Sequence, residues 1–342
     1  MHESLSSFPF DPELSPGAHN AVHVCLRVQP REKVTVITDY ASAEIAAAIV
    51  RELEELGASF HAFVLEDYAK RPLETKPQPI LDDLETSEVS IFAVQVQHGE
   101  LKTRMQMTDV VNRRQIRHAH MVNITKQIML DGMRADYQEV DRISTQVRDL
   151  ASAATRIRAT TPAGTDLVAE MNSAYKWIKT SGIISPLKWG NLPGGETFTT
   201  PGEVNGTFVI DGVVGDYLCA KYGSLRLAPL TVRVEKNRLV EASSTNKALE
   251  KEFWEYTHTD ENSDRVGEFA IGTNIGLRDV IGNILQDEKI PGVHIAFGNP
   301  YGFHTGADWY SSTHIDVVGR EFSIWVDNRQ IMDRGQFVLN GQ

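Results

Sequence analysis

The pair His314-x-Asp316 closes a stretch, Val293 to Asp316, that carries three histidines and two aspartates in two dozen residues. Residues two apart on a strand project to the same face, so this imidazole and carboxylate aim together. Such a pair suits a divalent metal. His294 interrupts the apolar run V-H-I-A-F-G, and Tyr301, His304 and Asp308 follow in a Gly/Pro-bearing loop. Taken alone, His294 reads as a satisfied core histidine, and His304 and Asp308 read as solvated loop residues.

Two upstream glutamates join the candidate set. Glu196 follows the turn N-L-P-G-G and opens a β-like run, where side chains commonly reach into a cleft. Glu268 sits inside the apolar R-V-G-E-F-A-I-G. A buried carboxylate needs a cation or a hydrogen-bond cage. The ordinary alternatives are a solvated turn for Glu196 and an ion pair with Arg265 for Glu268. Glu196, Glu268, His294, His314 and Asp316 together are too many donors for one tetrahedral zinc with an open position. They suit two ions roughly 3.5–4 Å apart with one carboxylate bridging. Carboxylates with imidazoles point to Zn, Co or Mn, with Mg a further candidate.

The elements that must position these residues fall in two halves. In residues 1–154, Lys33–Thr38 reads as a buried strand, and the helical stretch that follows Asp39 closes at Gly57. Strand-like runs recur at Phe60–Leu65, Val89–Ala93 and Met121–Ile124. Ala18–Val28 reads as a short helix, and longer helical runs span Leu101–Arg114 and Lys126–Ala154. This alternation predicts a parallel α/β sheet acting as a scaffold. The first strand–helix turn, Thr38-Asp39-Tyr40-Ala41-Ser42, has no glycine and matches no dinucleotide or P-loop fingerprint.

From residue 155 to 342 the texture becomes an antiparallel-rich α+β domain, predicted to hold the metals. R-I-R-A-T-T-P-A-G-T-D-L-V-A-E-M reads as strand, turn, strand. Further strands are expected at Gly206–Ile210, Leu225–Val234, Arg238–Ser243, Phe322–Asp327 and Phe337–Leu339, with helices near Lys247–Tyr256 and Leu277–Gln286.

Bulk properties exclude several classes. With 342 residues and a formal charge of −12, the chain lacks the basic clustering that nucleic-acid or anionic-membrane binding requires. Cys25 and Cys219 form no metal-thiolate spacing. The Met1-His2-Glu3-Ser4 start lacks the features of a signal peptide, and no apolar run reaches transmembrane length, so the cytoplasm is the expected compartment.

These motifs resemble the thermophilic metallo-aminopeptidases of the aminopeptidase T and aminopeptidase S type, chiefly over residues 155–330. The segment N-L-P-G-G-E-T-F-T places Glu196, G-E-F-A-I places Glu268, H-I-A-F-G-N-P-Y places His294 and Tyr301, and H-I-D places His314 and Asp316. The resemblance implies a homodimeric aminopeptidase acting on small peptides through a hydroxide held by two divalent ions. Tyr301 would stabilise the oxyanion and Glu268 would shuttle a proton. The rival expectation comes from 2,5-dihydroxypyridine ring-cleaving dioxygenases, which the same fold resembles. These hold one Fe(II) with two histidines and a carboxylate; a histidine stands at the position of Glu268, and the position of His294 is not a ligand. Because both hydrolase-type residues are present here, the aminopeptidase is the leading expectation.

Overall fold

The computed structural model describes residues 5–187 and 189–339. They form two compact units: one reaches Gln138 and adds Gly182–Gly194, and the other combines Glu139–Ser181 with the chain from Gly195 onward.

The first unit is built on a five-stranded parallel sheet in the order Ser59–Val64, Lys33–Thr38, Val89–Val94, Arg117–Val122, Gly190–Asn191. The β-branched K-V-T-V-I-T strand is buried from Val34 onward, and Val89–Val94 is buried throughout, as strands covered on both faces must be. Helix Ala43–Leu56 buries its alanine-rich face through Ile45, Ile49, Val50 and Leu53. It stops at Gly57, whose φ of 76° suits glycine. In the glycine-free turn before it, the Asp39 carboxylate accepts from the Ser42 amide at 2.8 Å and pairs with Arg71 at 2.7 Å. A carboxylate at this point repels a phosphate, in keeping with the missing fingerprint.

The long helix expected over Lys126–Ala154 is broken. Lys126–Leu130 ends at Asp131, a 3-10 turn Gly132–Arg134 intervenes, and Tyr137–Ser152 begins anew. Asp131 and Gly132 are poor helix formers, and the Tyr137 hydroxyl donates to the Gly132 carbonyl at 3.0 Å, fixing the break.

The second unit carries two antiparallel sheets. The larger has eight strands, in the order Arg238–Ser244, Leu230–Glu235, Glu203–Ile210, Asp166–Glu170, Arg156–Thr160, Ser323–Val326, Arg329–Asp333, Gln336–Phe337. The smaller has five: His314–Val318, Gly292–Gly298, Val266–Gly272, Glu196–Thr199, Ile178–Thr180. The chain is thus a parallel α/β region followed by an antiparallel-rich α+β region. Two expected elements are shorter than their sequence pattern. Leu225–Val234 becomes a strand only at Leu230, after a turn closed by the Ala228 amide on the Leu225 carbonyl. Leu277–Gln286 is helical only at Ile284–Asp287, because the Asp287 carboxylate gathers the amides of Ile281, Gly282 and Asn283 into a loop.

One face of the smaller sheet supplies Phe269, Ile271, Val293, Ile295, Phe297, Ile315 and Val317 to a core shared with Phe208, Val232 and Phe322. The period of two then sends the intervening residues to the opposite face. Glu196, Glu268, His294, His314 and Asp316 lie on that opposite face, with the small Ala270 and Ala296 between them. Among the described residues, no helix is long and apolar enough to cross a membrane.

Candidate metal centre

Cross-strand register decides which of these side chains meet. Glu268 lies opposite Ala296, and Ala296 lies opposite Asp316. Directly opposed residues share a face, so the two carboxylates flank an alanine whose small side chain leaves room between them. A β-bulge between Val266 and Glu268 aims Glu268 into this row. The bulge depends on Gly267, since a Cβ there would stand 2.2 Å from the Gly298 carbonyl oxygen.

The resulting distances form a chain. His294 Nε2 lies 3.3 Å from Glu268 Oε1 and 3.6 Å from Glu196 Oε2. His314 Nε2 lies 3.3 Å from Asp316 Oδ1 and 3.9 Å from Glu268 Oε2. Donors held roughly 2.0–2.2 Å from one ion, at angles between square and tetrahedral, stand about 2.8–3.6 Å apart. Two groups therefore have ligand spacing, Glu196–Glu268–His294 and Glu268–His314–Asp316, each with its donor atoms within 4.8 Å of one another. Glu268 belongs to both. Glu268 makes no ion pair with Arg265, which instead stacks over the Trp309 ring at 4.2 Å.

Burial makes these charges interdependent. Burial alone would lower the His314 imidazole, yet the Asp316 charge and hydrogen bond, with Glu268, raise it to about 10. Desolvation would raise Asp316, and His314 instead brings it down to about 2. His294 is likewise lifted against its burial, through its contact with Glu268 and the charge of Glu196. His294 Nε2 is a buried polar atom with no hydrogen-bond partner. An orphaned imidazole nitrogen beside two carboxylates fits a cation, and the oxygen-rich donor set fits a hard or borderline divalent ion.

Three residues outside the expected set, Lys289, Glu288 and Thr180, complete the cluster. Lys289 is 1% exposed and places Nζ 2.7 Å from Glu196 Oε1, while also bonding the Glu288 carboxylate. Thr180 donates to the same Glu196 oxygen at 2.9 Å. Burial pushes Glu288 up to about 8 despite the opposing charge of Lys289. In the sequence, E-K-I-P reads as an exposed charged turn; only the position five residues before His294 hints otherwise.

Tyr301 also reaches the cluster. Its ring lies 4.3 Å from that of His314 and 6.4 Å from that of Phe198. Tyr301 keeps 42% of its surface exposed, while desolvation beside the cluster, then the charges of Asp316 and Glu268, raise its hydroxyl well above the ordinary tyrosine range. Its backbone is left-handed, with φ 48° and ψ 49°, an unusual state for a bulky residue. His304 and Asp308 lie nearby in sequence and are exposed; neither belongs to a metal-capable group. A third group, His19, His23 and Glu52, belongs to the first unit. Both of its imidazoles sit 3.1 Å from one Glu52 oxygen, and His19 is largely open to solvent.

Fold and cluster together define a class of two-part α/β proteins with a carboxylate–imidazole cluster of metal-ligand spacing on an antiparallel sheet. Within that class, the NicX family, 2,5-dihydroxypyridine 5,6-dioxygenase, matches residues 17–339, and the chain belongs to this family. The 2,5-dihydroxypyridine dioxygenase of Pseudomonas putida KT2440 has a similar structure, with TM-score 0.67, 15% identity and 98% of each chain covered. Wild-type AmpT from Thermus thermophilus is similar too, with TM-score 0.71, 16% identity, and 96% of this chain and 100% of that chain covered. No curated protein matches the sequence.

The family match overturns the aminopeptidase expectation, and with it the reading of the chain as a hydrolase or protease. Aminopeptidase T shares the fold, which is as much as a likeness at this identity conveys. The physical reason for the error lies in the donors. Carboxylates and imidazoles on one sheet face specify a place for a divalent ion, but not the bond that ion helps to break.

Proposed function

We propose that this chain is a ring-opening dioxygenase for small dihydroxylated N-heteroaromatics of the 2,5-dihydroxypyridine class. Its ferrous ion would be held by Glu268, His314 and Asp316. The family match over residues 17–339 carries this reading, and the convergence of those three side chains supplies the place for the ion. The donor set has one imidazole and two carboxylates, where the usual non-haem iron triad has two imidazoles and one carboxylate. His294 supplies a second imidazole beside Glu268.

When bound, ferrous iron supplies the redox chemistry by which dioxygen reacts with an electron-rich ring. The protein's own groups do the rest. His294 Nε2, buried between Glu268 and Glu196, is placed to exchange a proton with a ring hydroxyl. Glu196, fixed by Thr180 and Lys289, lies 3.6 Å from the same Nε2 and so steadies the imidazole beside Glu268. Tyr301 offers a phenol kept protonated by the surrounding carboxylates, hence a hydrogen-bond donor to an oxygen of the substrate.

The test is anaerobic loading with Fe(II), followed by oxygen-electrode and mass measurements with 2,5-dihydroxypyridine. The expected result is one dioxygen consumed per ring opened, with both atoms of labelled oxygen in the product. Turnover without oxygen uptake would defeat the proposal.

A further inference from the structure

The cluster has two groups with metal-ligand spacing but also holds a fixed cation of its own. The Lys289 ammonium is buried, 2.7 Å from Glu196 Oε1 and bonded to Glu288. We propose that Lys289 makes this a one-metal centre, supplying to Glu196 the positive charge that a second divalent ion would otherwise bring. This rests on the metal-centre reading above, and adds to it the residue that sets the stoichiometry.

Three observations carry the inference. The first is backbone placement. Glu196 lies opposite Gly272 in the sheet, and a Cβ on Gly272 would stand 2.0 Å from the Ile290 carbonyl oxygen. Only glycine lets the Lys289–Ile290 segment pass this close to the strand. The Asn274 amide then ties the Lys289 carbonyl down at 3.0 Å. The lysine is thus delivered by the main chain to the Glu196 end of the row.

The second is charge. Glu196, Glu268, Glu288 and Asp316 bring four carboxylates to the buried cluster, and Lys289 brings one ammonium. Burial keeps the Glu288 carboxyl largely protonated, so with the other three ionised and the imidazoles neutral, Lys289 and one divalent ion balance the cluster. Two such ions leave a surplus positive charge in a site shielded from water. Without Lys289, Glu196 loses its counter-charge, and a second divalent ion can supply it.

The third is ligand competition. Glu196 is the one carboxylate found only in the first group, and its Oε1 is already taken by Lys289 and Thr180. An ion at that end would have to share Glu196 with an ammonium that repels it. The Glu268–His314–Asp316 end has no such rival.

Metal-free protein is titrated with Mn(II), and bound metal is counted by mass spectrometry after desalting, with paramagnetic resonance on the same samples. The wild type should hold one Mn(II) per chain and show the uncoupled six-line signal even at tenfold excess metal. Lys289→Met should hold two and show the broadened spectrum of an exchange-coupled pair, while Lys289→Arg should return to one. Two ions or a coupled spectrum in the wild type would overturn the proposal, as would one ion in a folded Lys289→Met. Lys289→Gln serves the same comparison should the methionine variant not fold. A wild type that binds no metal would instead remove the metal-centre reading beneath it.

Discussion

His314 Nδ1 lies 2.9 Å from the backbone carbonyl of Asn299. A carbonyl oxygen only accepts, so Nδ1 carries the proton and Nε2 is the nitrogen turned toward Asp316 and Glu268. The side chain of Asn299 holds the carbonyl in place by donating to Ser311 O at 3.1 Å and accepting from the Tyr301 amide at 2.9 Å. Asn299→Ala should therefore loosen His314 without removing any ligand. Losing such an orienting partner typically costs about 10–100-fold in metal affinity. Competition with a fluorescent chelator measures it; unchanged affinity would show that the turn orients nothing.

Metal uptake should depend on pH with a definite sign. In the metal-free protein His314 is lifted to about 10, so at neutral pH it carries a proton that an incoming ion must displace. Affinity should rise about tenfold per pH unit from 6 to 9, with about one proton released per ion. Stability runs the other way. A raised imidazole stabilises the metal-free fold fully below the unfolded value of about 6.5, and that contribution is lost as pH rises through 10. Tm of the metal-free protein should fall over this window, and bound metal should restore it. Calorimetry in buffers of different ionisation heats counts the protons.

The space over Ala296 is as specific as the ligands beside it. Glu268 and Asp316 sit two strands apart with this alanine between them. Ala296→Leu should fill the place of the ion while leaving every donor present. Metal content should drop to background, with the circular dichroism spectrum unchanged. Ala296→Ser is the control, and it should keep the metal.

Much of this was legible in the sequence, for an identifiable reason. Strand Lys33–Thr38 and helices Leu101–Arg114 and Lys247–Tyr256 have the bounds their patterns predict, since local apolar spacing and punctuation set them. Glu196, Glu268, His294, His314 and Asp316 were legible as one set because their short motifs resemble those of a known metal-site family, and Glu268, His294 and the His314-x-Asp316 pair also break apolar strand patterns. Lys289 was not, since a charged pair before proline reads as solvent-facing and its burial depends on the non-local approach to Gly272. The break at Asp131 and the loop gathered by Asp287 likewise depend on side-chain hydrogen bonds across a turn. The reaction was misread because the donor set is common to metal sites with different chemistries.

In the first unit the most exacting polar group is Arg71. Its guanidinium meets Asp39 at 2.7 Å and Glu66 at 3.3 Å, bonds both oxygens of Glu100, and donates to the Gln95 carbonyl at 2.7 Å. Its side chain is 4% exposed, as is that of Glu100. Arg71→Met would leave buried carboxylates uncompensated, a loss of about 3–5 kcal/mol. Urea unfolding checks the figure. Burial raises Glu100, but Arg71 and two backbone amides outweigh it and bring the carboxyl down to about 2. The stability it contributes is present above the unfolded value of about 4.3 and is lost as pH falls through 2. Arg71→Met should abolish that acid-range slope, which a mere packing defect would not.

Glu268 tests the iron reading most directly. Glu268→His would give two imidazoles and one carboxylate, the arrangement common in ferrous oxygenases. It should keep one Fe(II) per chain and retain oxygen uptake, whereas Glu268→Ala should lose the ion. Tyr301 separates binding from chemistry in the same assay. Tyr301→Phe keeps the ring against His314 and Phe198 but removes the hydroxyl, so kcat should fall about 100–1000-fold, the scale of one lost donor, with KM little changed. Tyr301→Gly relieves the left-handed backbone, a gain of about 1 kcal/mol, while removing ring and donor together. A more stable but inactive glycine variant would show that the strain at residue 301 is held for the reaction; equal loss of stability and activity would show that it is not.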